Sequence, residues 1–308
     1  MIRISQIKME HLLHVQHVEE KVKQELIADL YPQVARGVEV YSEWLADTKW
    51  ESHERRKDAI RHMDRESVVI KVLTKISRNC MKALPLVSIA GMINLSPELD
   101  KLDSIQLSCD LIALLQPTDL YNVEKSAGGT QVVYTTIELS ESLVRQIRVG
   151  CYLPPMIEKP QRITKNDQSG YLTINKDSMV LGGEYNQHNG NISLDVINKL
   201  NANEYELDTF ITQEGKPWHR EYLTPLDIYC LREADREIYR NELITRELYL
   251  EQFNYLKTLL AERTLWFNHK PDKRGRLYCQ GYHFNTQGSS YEKAAINLKH
   301  KELITGEL

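Results

Sequence analysis

No stretch of this 308-residue sequence approaches the roughly 20 consecutive apolar residues that a membrane-spanning helix needs. The first residues, Met1-Ile2-Arg3-Ile4-Ser5-Gln6, have neither the apolar centre nor the small-residue cleavage site of a secretory signal. Together these absences predict a cytosolic chain with no membrane partner. Cysteine is sparse: Cys80, Cys109, Cys151, Cys230 and Cys279 are scattered, odd in number and form no C-x-x-C pair. That argues against a disulfide framework and a zinc site and leaves reduced, mostly packed thiols. No G-x-x-x-x-G-K-[ST] segment occurs, and Gly182-Gly183 reads as a turn, not a phosphate loop. His11, His14 and His17 recur at three-residue steps, but no HExxH pattern and no Asp or Cys at ligand spacing supports a metal site.

What is present is an ordinary globular balance, 42% hydrophobic and 27% charged, long enough for about two domains. The formal net charge of −4 disfavours a nucleic-acid protein on average, but a local patch matters more than the average. Between Lys257 and Lys299 stand eight Lys and Arg residues against three acids, a net charge of +5. The Arg55-Arg56-Lys57 run is different, because acids interleave it, and it reads as a solvated helix face.

Periodicity places helices through Ile7–Leu30, Val38–Leu45, Val68–Leu84 and Ile105–Leu115, with apolar residues at three- and four-residue steps. Gly128-Gly129 between two strand-prone runs signals a hairpin near 123–139, followed by a short helix to Val149 with Ser140 as N-cap. The prolines of Leu153-Pro154-Pro155-Met156-Ile157-Glu158-Lys159-Pro160 require an extended segment. Two amphipathic helices follow, Ile192–Leu207 and about Pro225–Thr264, and their short connection predicts a projecting helical hairpin. The fold class is mainly α (α+β). The expected stretches are a helical 1–150, an extended connector 151–190, long helices 191–264 and a final 265–308.

The most informative string is Trp266-Phe267-Asn268-His269-Lys270-Pro271-Asp272-Lys273-Arg274-Gly275-Arg276-Leu277-Tyr278. D-x-x-G-R alone is weak, since an exposed turn gives Asp and Gly ordinary roles. Its surroundings are more specific: Asn285-x-Gln287-Gly288, then Lys293 opening a small-residue helix through Ala294-Ala295-Ile296-Asn297-Leu298. In this order the chain resembles the single-subunit RNA polymerases of bacteriophages and mitochondria. Upstream, Thr136-Ile137-Glu138-Leu139 and the helix after it resemble the end of that family's promoter-melting hairpin. Leu153–Pro160 followed by Ser169-Gly170-Tyr171 resembles its P-P-x-P-W and G-G-Y stretch, without the Trp and with Ser169 in place of one Gly.

The resemblance implies that 191–264 is thumb-like and that 265–308 begins a polymerase palm. It implies nucleic-acid contacts by Asp272, Lys273, Arg274, Gly275, Arg276, Tyr278, Gln287 and Lys293. Guanidinium groups bind phosphate bidentately and stay charged, Gly275 allows close backbone approach, and Tyr278 can stack on a base or sugar. Asp272 is expected to orient Arg276 or a neighbouring amide. The family's catalytic aspartates lie beyond the matched region, and no His-Asp-Ser or Tyr-Gly sequence stands in for them. With an opening Met1 and an end at Lys301–Leu308, the expectation is one subunit of a two-polypeptide DNA-directed RNA polymerase, as in heterodimeric podophage enzymes. Such a subunit is inactive alone and works in the cytoplasm of an infected bacterium. Its partners would be the second subunit with the catalytic palm and Mg2+, template DNA, the RNA transcript and a single-stranded-DNA-binding recruiting factor. The alternative is a stand-alone single-stranded nucleic-acid-binding protein, which accounts for the basic stretch but not for the ordered string.

Overall fold

Local capping and turn signals are obeyed in the structure, while the longest expected helices are cut by tertiary contacts. The computed structural model describes residues 4–47, 51–182, 188, 190–215, 217 and 221–301, without the side chains of 51 and 52. Met1–Arg3, Gly183 and residues 302–308 lie outside the described residues. The first half runs α1 (Gln6–Leu13), α2 (Val15–Ala28), α3 (Tyr31–Ala46), α4 (Glu51–Arg61), α5 (Arg65–Ser77), β1 (Leu84–Pro85), α6 (Leu86–Ala90), α7 (Lys101–Leu114), β2 (Tyr121–Lys125), β3 (Gln131–Thr135) and α8 (Glu141–Val149). The second half runs α9 (Leu194–Asn201), β4 (Tyr205–Leu207), α10 (Thr209–Glu214), α11 (Pro225–Cys230), α12 (Glu233–Leu260), β5 (Asn268–Pro271), β6 (Leu277–Gln280), α13 (Ser290–Ala294) and β7 (Ile296–Leu298). The fold is mainly α, with three small antiparallel sheets among the described residues, β1-β3-β2, β4-β7 and β5-β6.

The chain forms two compact units. The ribbon unit comprises Met1–Val15, Tyr152–Arg220 and Tyr249–Leu308, and the helical unit Gln16–Cys151 and Glu221–Leu248. This division cuts across the consecutive stretches read from the sequence: α1 groups with residues beyond 151, and α12 divides after Leu248.

In the helical unit the apolar stripes converge on one core, with Val18, Val22 and Leu26 from α2, Tyr41 from α3, Leu73 from α5 and Leu111 from α7. Asp64, Asp100 and Ser140 cap α5, α7 and α8 by accepting backbone N–H bonds that the helices cannot satisfy internally. The predicted hairpin is present, with Val123 opposite Val133. Its tip is held by Glu237 of α12, which accepts from the Ala127 amide (2.8 Å) and the Tyr134 hydroxyl (3.2 Å). The Arg55–Lys57 run departs from its reading. Arg56 is buried and pairs with Asp110 at 3.0 Å, and Lys57 is buried over the Trp44 ring, bonded to the Asp47 carbonyl. The partner carboxylate is 54 residues away, so the interleaved charges gave no sign of it.

In the ribbon unit α1 begins at the Ser5 cap and ends at His14, where periodicity predicts one helix through Leu30. His14 is extended because it bridges to Tyr152 and packs its ring edge-on against Tyr171. That extended cap also removes the three histidines from a common helix face. The face of α1 that carries Gln6 and Glu10 is fully buried. Glu10 accepts four hydrogen bonds, from Gln6 Nε2 (2.6 Å), the Leu172 and Thr173 amides (3.0 and 2.8 Å) and the Thr173 hydroxyl (2.5 Å). Gln6 Oε1 accepts from the Ile157 amide at 2.8 Å. One short helix thus clamps both the proline segment and the Leu172-Thr173 bend. The proline segment is non-helical, as required, and Met156 exchanges both backbone bonds with Trp266.

The helix expected over Ile192–Leu207 stops at Asn201. The buried Asn201 Oδ1 accepts from the His269 amide of β5 (2.9 Å), and Tyr205–Leu207 is recruited as a strand by β7. The expected pair of long helices therefore resolves into the 8-residue α9, two further short helices and the 28-residue α12. The helix expected to open at Lys293 instead ends beside it: a Ser289–Glu292 capping box starts α13 earlier, and Ile296–Leu298 pairs with β4.

Candidate nucleic-acid interface

Asp272-Lys273-Arg274-Gly275-Arg276 forms the turn of the β5–β6 ribbon, with Pro271 opposite Leu277 at its base. Asp272 organises it. Its Oδ1 accepts from the Arg274 and Arg276 amides (2.9 and 3.0 Å). Its Oδ2 accepts from Arg276 Nε at 2.8 Å and pairs with Arg276 Nη2 at 2.7 Å. The Asp272 amide and the Arg276 carbonyl close the loop at 2.8 Å. Partial burial pushes the Asp272 carboxyl up, but the bonds from the Arg276 amide and guanidinium outweigh it, so the group is held below the usual carboxylate range. The same bond to Asp272 raises Arg276, which keeps its charge.

The carboxylate is only 17% exposed, whereas the Arg276 and Arg274 side chains are 54% and 72% exposed. Lys273 is exposed as well. The turn therefore hides its one acid and displays three cations. Arg276 also lies over the Tyr278 ring, 5.6 Å from its centroid, leaving Tyr278 half-buried.

Gly275 has φ +81°, and an added Cβ would meet nothing within 4 Å. Within this chain Gly275 supplies the left-handed backbone that closes the turn. Gly275→Ala is expected to lower stability by about 1 kcal/mol. Gly275→Asn should lose less, because Asn tolerates the left-handed region, and urea unfolding of both variants checks the order.

The remaining candidates separate. Gln287 is spent on structure: its Oε1 accepts from the Cys279 amide (2.8 Å) and its Nε2 donates to the Leu277 carbonyl (3.1 Å), clasping the edge of β6. Asn285, of the same N-x-Q-G string, completes the clasp by donating to the Gly281 and Cys279 carbonyls at 2.9 and 3.3 Å. The string is thus a brace for the ribbon. Lys293 is exposed on the last turn of α13. The other basic residues of the +5 stretch are partly committed. Lys270 pairs with Asp177, Lys257 donates to the Thr212 carbonyl at 3.1 Å, and Lys299 faces Glu204 at 3.7 Å.

A two-metal centre needs convergent carboxylates sharing ions about 4 Å apart. Among the described residues no group of three His, Cys, Asp or Glu side chains is placed to hold a metal, and both Asp272 oxygens are engaged by Arg276 and backbone amides. No described helix is long and apolar enough to cross a membrane. The five cysteines are free thiols, with Cys230 exposed and Cys279 buried.

No protein-family model matches the chain. Over 129 residues, 40% of this chain, it is 30% identical to a protein of Gelasinospora sp. (strain G114) described as "Probable DNA-directed RNA polymerase". The matched segment spans 14% of that relative's length.

Proposed function

We propose that this chain is a nucleic-acid-binding part of a single-subunit-type DNA-dependent RNA polymerase, holding template DNA and the RNA–DNA hybrid. A second polypeptide supplies the catalytic aspartates, the magnesium ions and most of the palm, and the nucleotidyl transfer takes place there. The observation that carries this reading is the ribbon turn, in which a shielded Asp272 aims Arg276, pairs with Arg274 at 3.5 Å and leaves all three cations, Lys273 included, exposed to solvent. Hydrogen bonding to a carboxylate fixes a guanidinium in place, and an arginine fork suits phosphate oxygens. The likeness to a protein described as an RNA polymerase supports the same reading.

Arg274→Ala and Arg276→Ala test it. Each variant should bind an RNA–DNA hybrid more weakly. If one phosphate goes unneutralised in each, the dependence of log affinity on log salt should flatten by about 0.9. Slopes that stay unchanged in both variants would show these arginines to be structural and remove the basis of the proposal. Co-expression with the polypeptide encoded beside this chain is the complementary experiment: extension of a primed template should require both chains.

A further inference from the structure

Gly281-Tyr282-His283-Phe284 joins β6 to the Asn285–Gln287 brace. His283 and Phe284 are fully buried, but Tyr282 between Gly281 and His283 keeps 50% of its surface exposed. The ring is not loose. It meets His283 edge-on at 4.7 Å and Tyr249 edge-on at 5.7 Å, with Tyr152 at 6.4 Å. The backbone beneath it is equally constrained. A Cβ on Gly281 would sit 2.3 Å from the Phe284 carbonyl oxygen, and Asn285 Nδ2 holds the Gly281 carbonyl at 2.9 Å. A large aromatic surface is thus presented to water in one orientation, so covering it gains apolar burial with little further ordering.

Tyr282 stands at the end of β6 remote from the cationic turn. It lies six positions beyond Arg276, a span of at most about 20 Å at 3.3 Å per residue. A stacked strand crosses that span in about six nucleotides. Burial, and then the Glu292 carboxylate, push the Tyr282 phenol up, so the ring is neutral at physiological pH. That acidic neighbour discourages a phosphate beside the ring and leaves a neutral, flat partner as the better fit.

We propose that Tyr282 is a stacking platform for an unpaired nucleobase of the strand whose phosphates meet Lys273, Arg274 and Arg276. The proposal rests on the nucleic-acid reading above and adds a second subsite to it. Stacking on an aromatic side chain tolerates any base, so the platform recognises the presence of a base and not its identity.

The probes are a deoxythymidine oligomer about twelve nucleotides long and an abasic oligomer of equal length and charge, titrated at low salt. Wild type should prefer the thymidine oligomer by about tenfold. Tyr282→Ala should bind both oligomers with the affinity wild type shows for the abasic one, and Tyr282→Phe should keep the preference. A Tyr282→Ala protein that had lost its fold would also lose the abasic oligomer, so retained abasic binding certifies the variant. Equal wild-type affinity for the two oligomers, or a preference that survives Tyr282→Ala, overturns the platform alone. Failure of wild type to bind either oligomer overturns the platform and the nucleic-acid reading together.

Discussion

Glu10→Ala should cost the ribbon unit about 3–5 kcal/mol, a large effect for a residue remote in sequence from the Asp272 turn. The fully buried carboxylate accepts bonds from Gln6, from two consecutive backbone amides and from the Thr173 hydroxyl. Truncation leaves those buried and part-buried donors without their acceptor, and an orphaned buried donor costs about 1–3 kcal/mol. Glu10→Gln should do less damage, because one oxygen remains as acceptor while the new amide faces donors. Two units need not unfold together, so a single melting curve can miss the loss. Hydrogen exchange resolves it: the Leu172 and Thr173 amides should lose most of their protection in Glu10→Ala. Unchanged protection at both amides, with an unchanged urea midpoint, would sink the idea that α1 is a clamp.

The second large effect is on pH. His283 has no exposed surface and is enclosed by Tyr152, Tyr249 and Tyr282. Burial alone pushes its imidazole down to about 3, from an ordinary value of 6.5. Below pH 6.5 the unfolded chain takes up a proton that the folded ribbon unit refuses, so stability is intact above 6.5 and falls as the pH drops toward 3. The slope for one such group is about 1.4 kcal/mol per pH unit, or about 3 kcal/mol between pH 6.5 and roughly 4.5. His269, also lowered by burial, acts in the same direction. Asp272, held low, adds its own loss only at the acid end of the range. His283→Phe should therefore flatten the stability profile above about pH 4.5 while leaving the acid limb. A profile as steep in the variant as in wild type would place the proton uptake elsewhere.

The ribbon turn is the most legible part of the molecule. Asp272 and Gly275 are the residue types a tight, left-handed turn demands, and the turn forms with Asp272 orienting Arg276 as expected. What composition does not convey is commitment. Gln287 and Lys270 look like free polar groups in a basic stretch, yet each is engaged by a backbone or carboxylate partner that the fold brings in. Helix ends are obscured for a related reason. The amphipathic pattern runs on past Asn201, but the Asn201 side chain is needed by β5, and β7 supplies a strand partner some ninety residues later. Local periodicity carries no information about either. The same holds for Gln6 and Glu10, whose polar character on a buried helix face makes sense only beside residues 157–173.

That separation also sets a timetable. Ribosomes add about 5–20 residues each second, so the partners of α1, some 150 residues downstream, emerge roughly 8–30 s after it. An eight-residue helix does not persist alone in water, so this segment waits as coil while most of the helical unit is made. The ribbon unit closes late, by recapturing its own first segment. Chaperones and proteases have that interval in which to find α1.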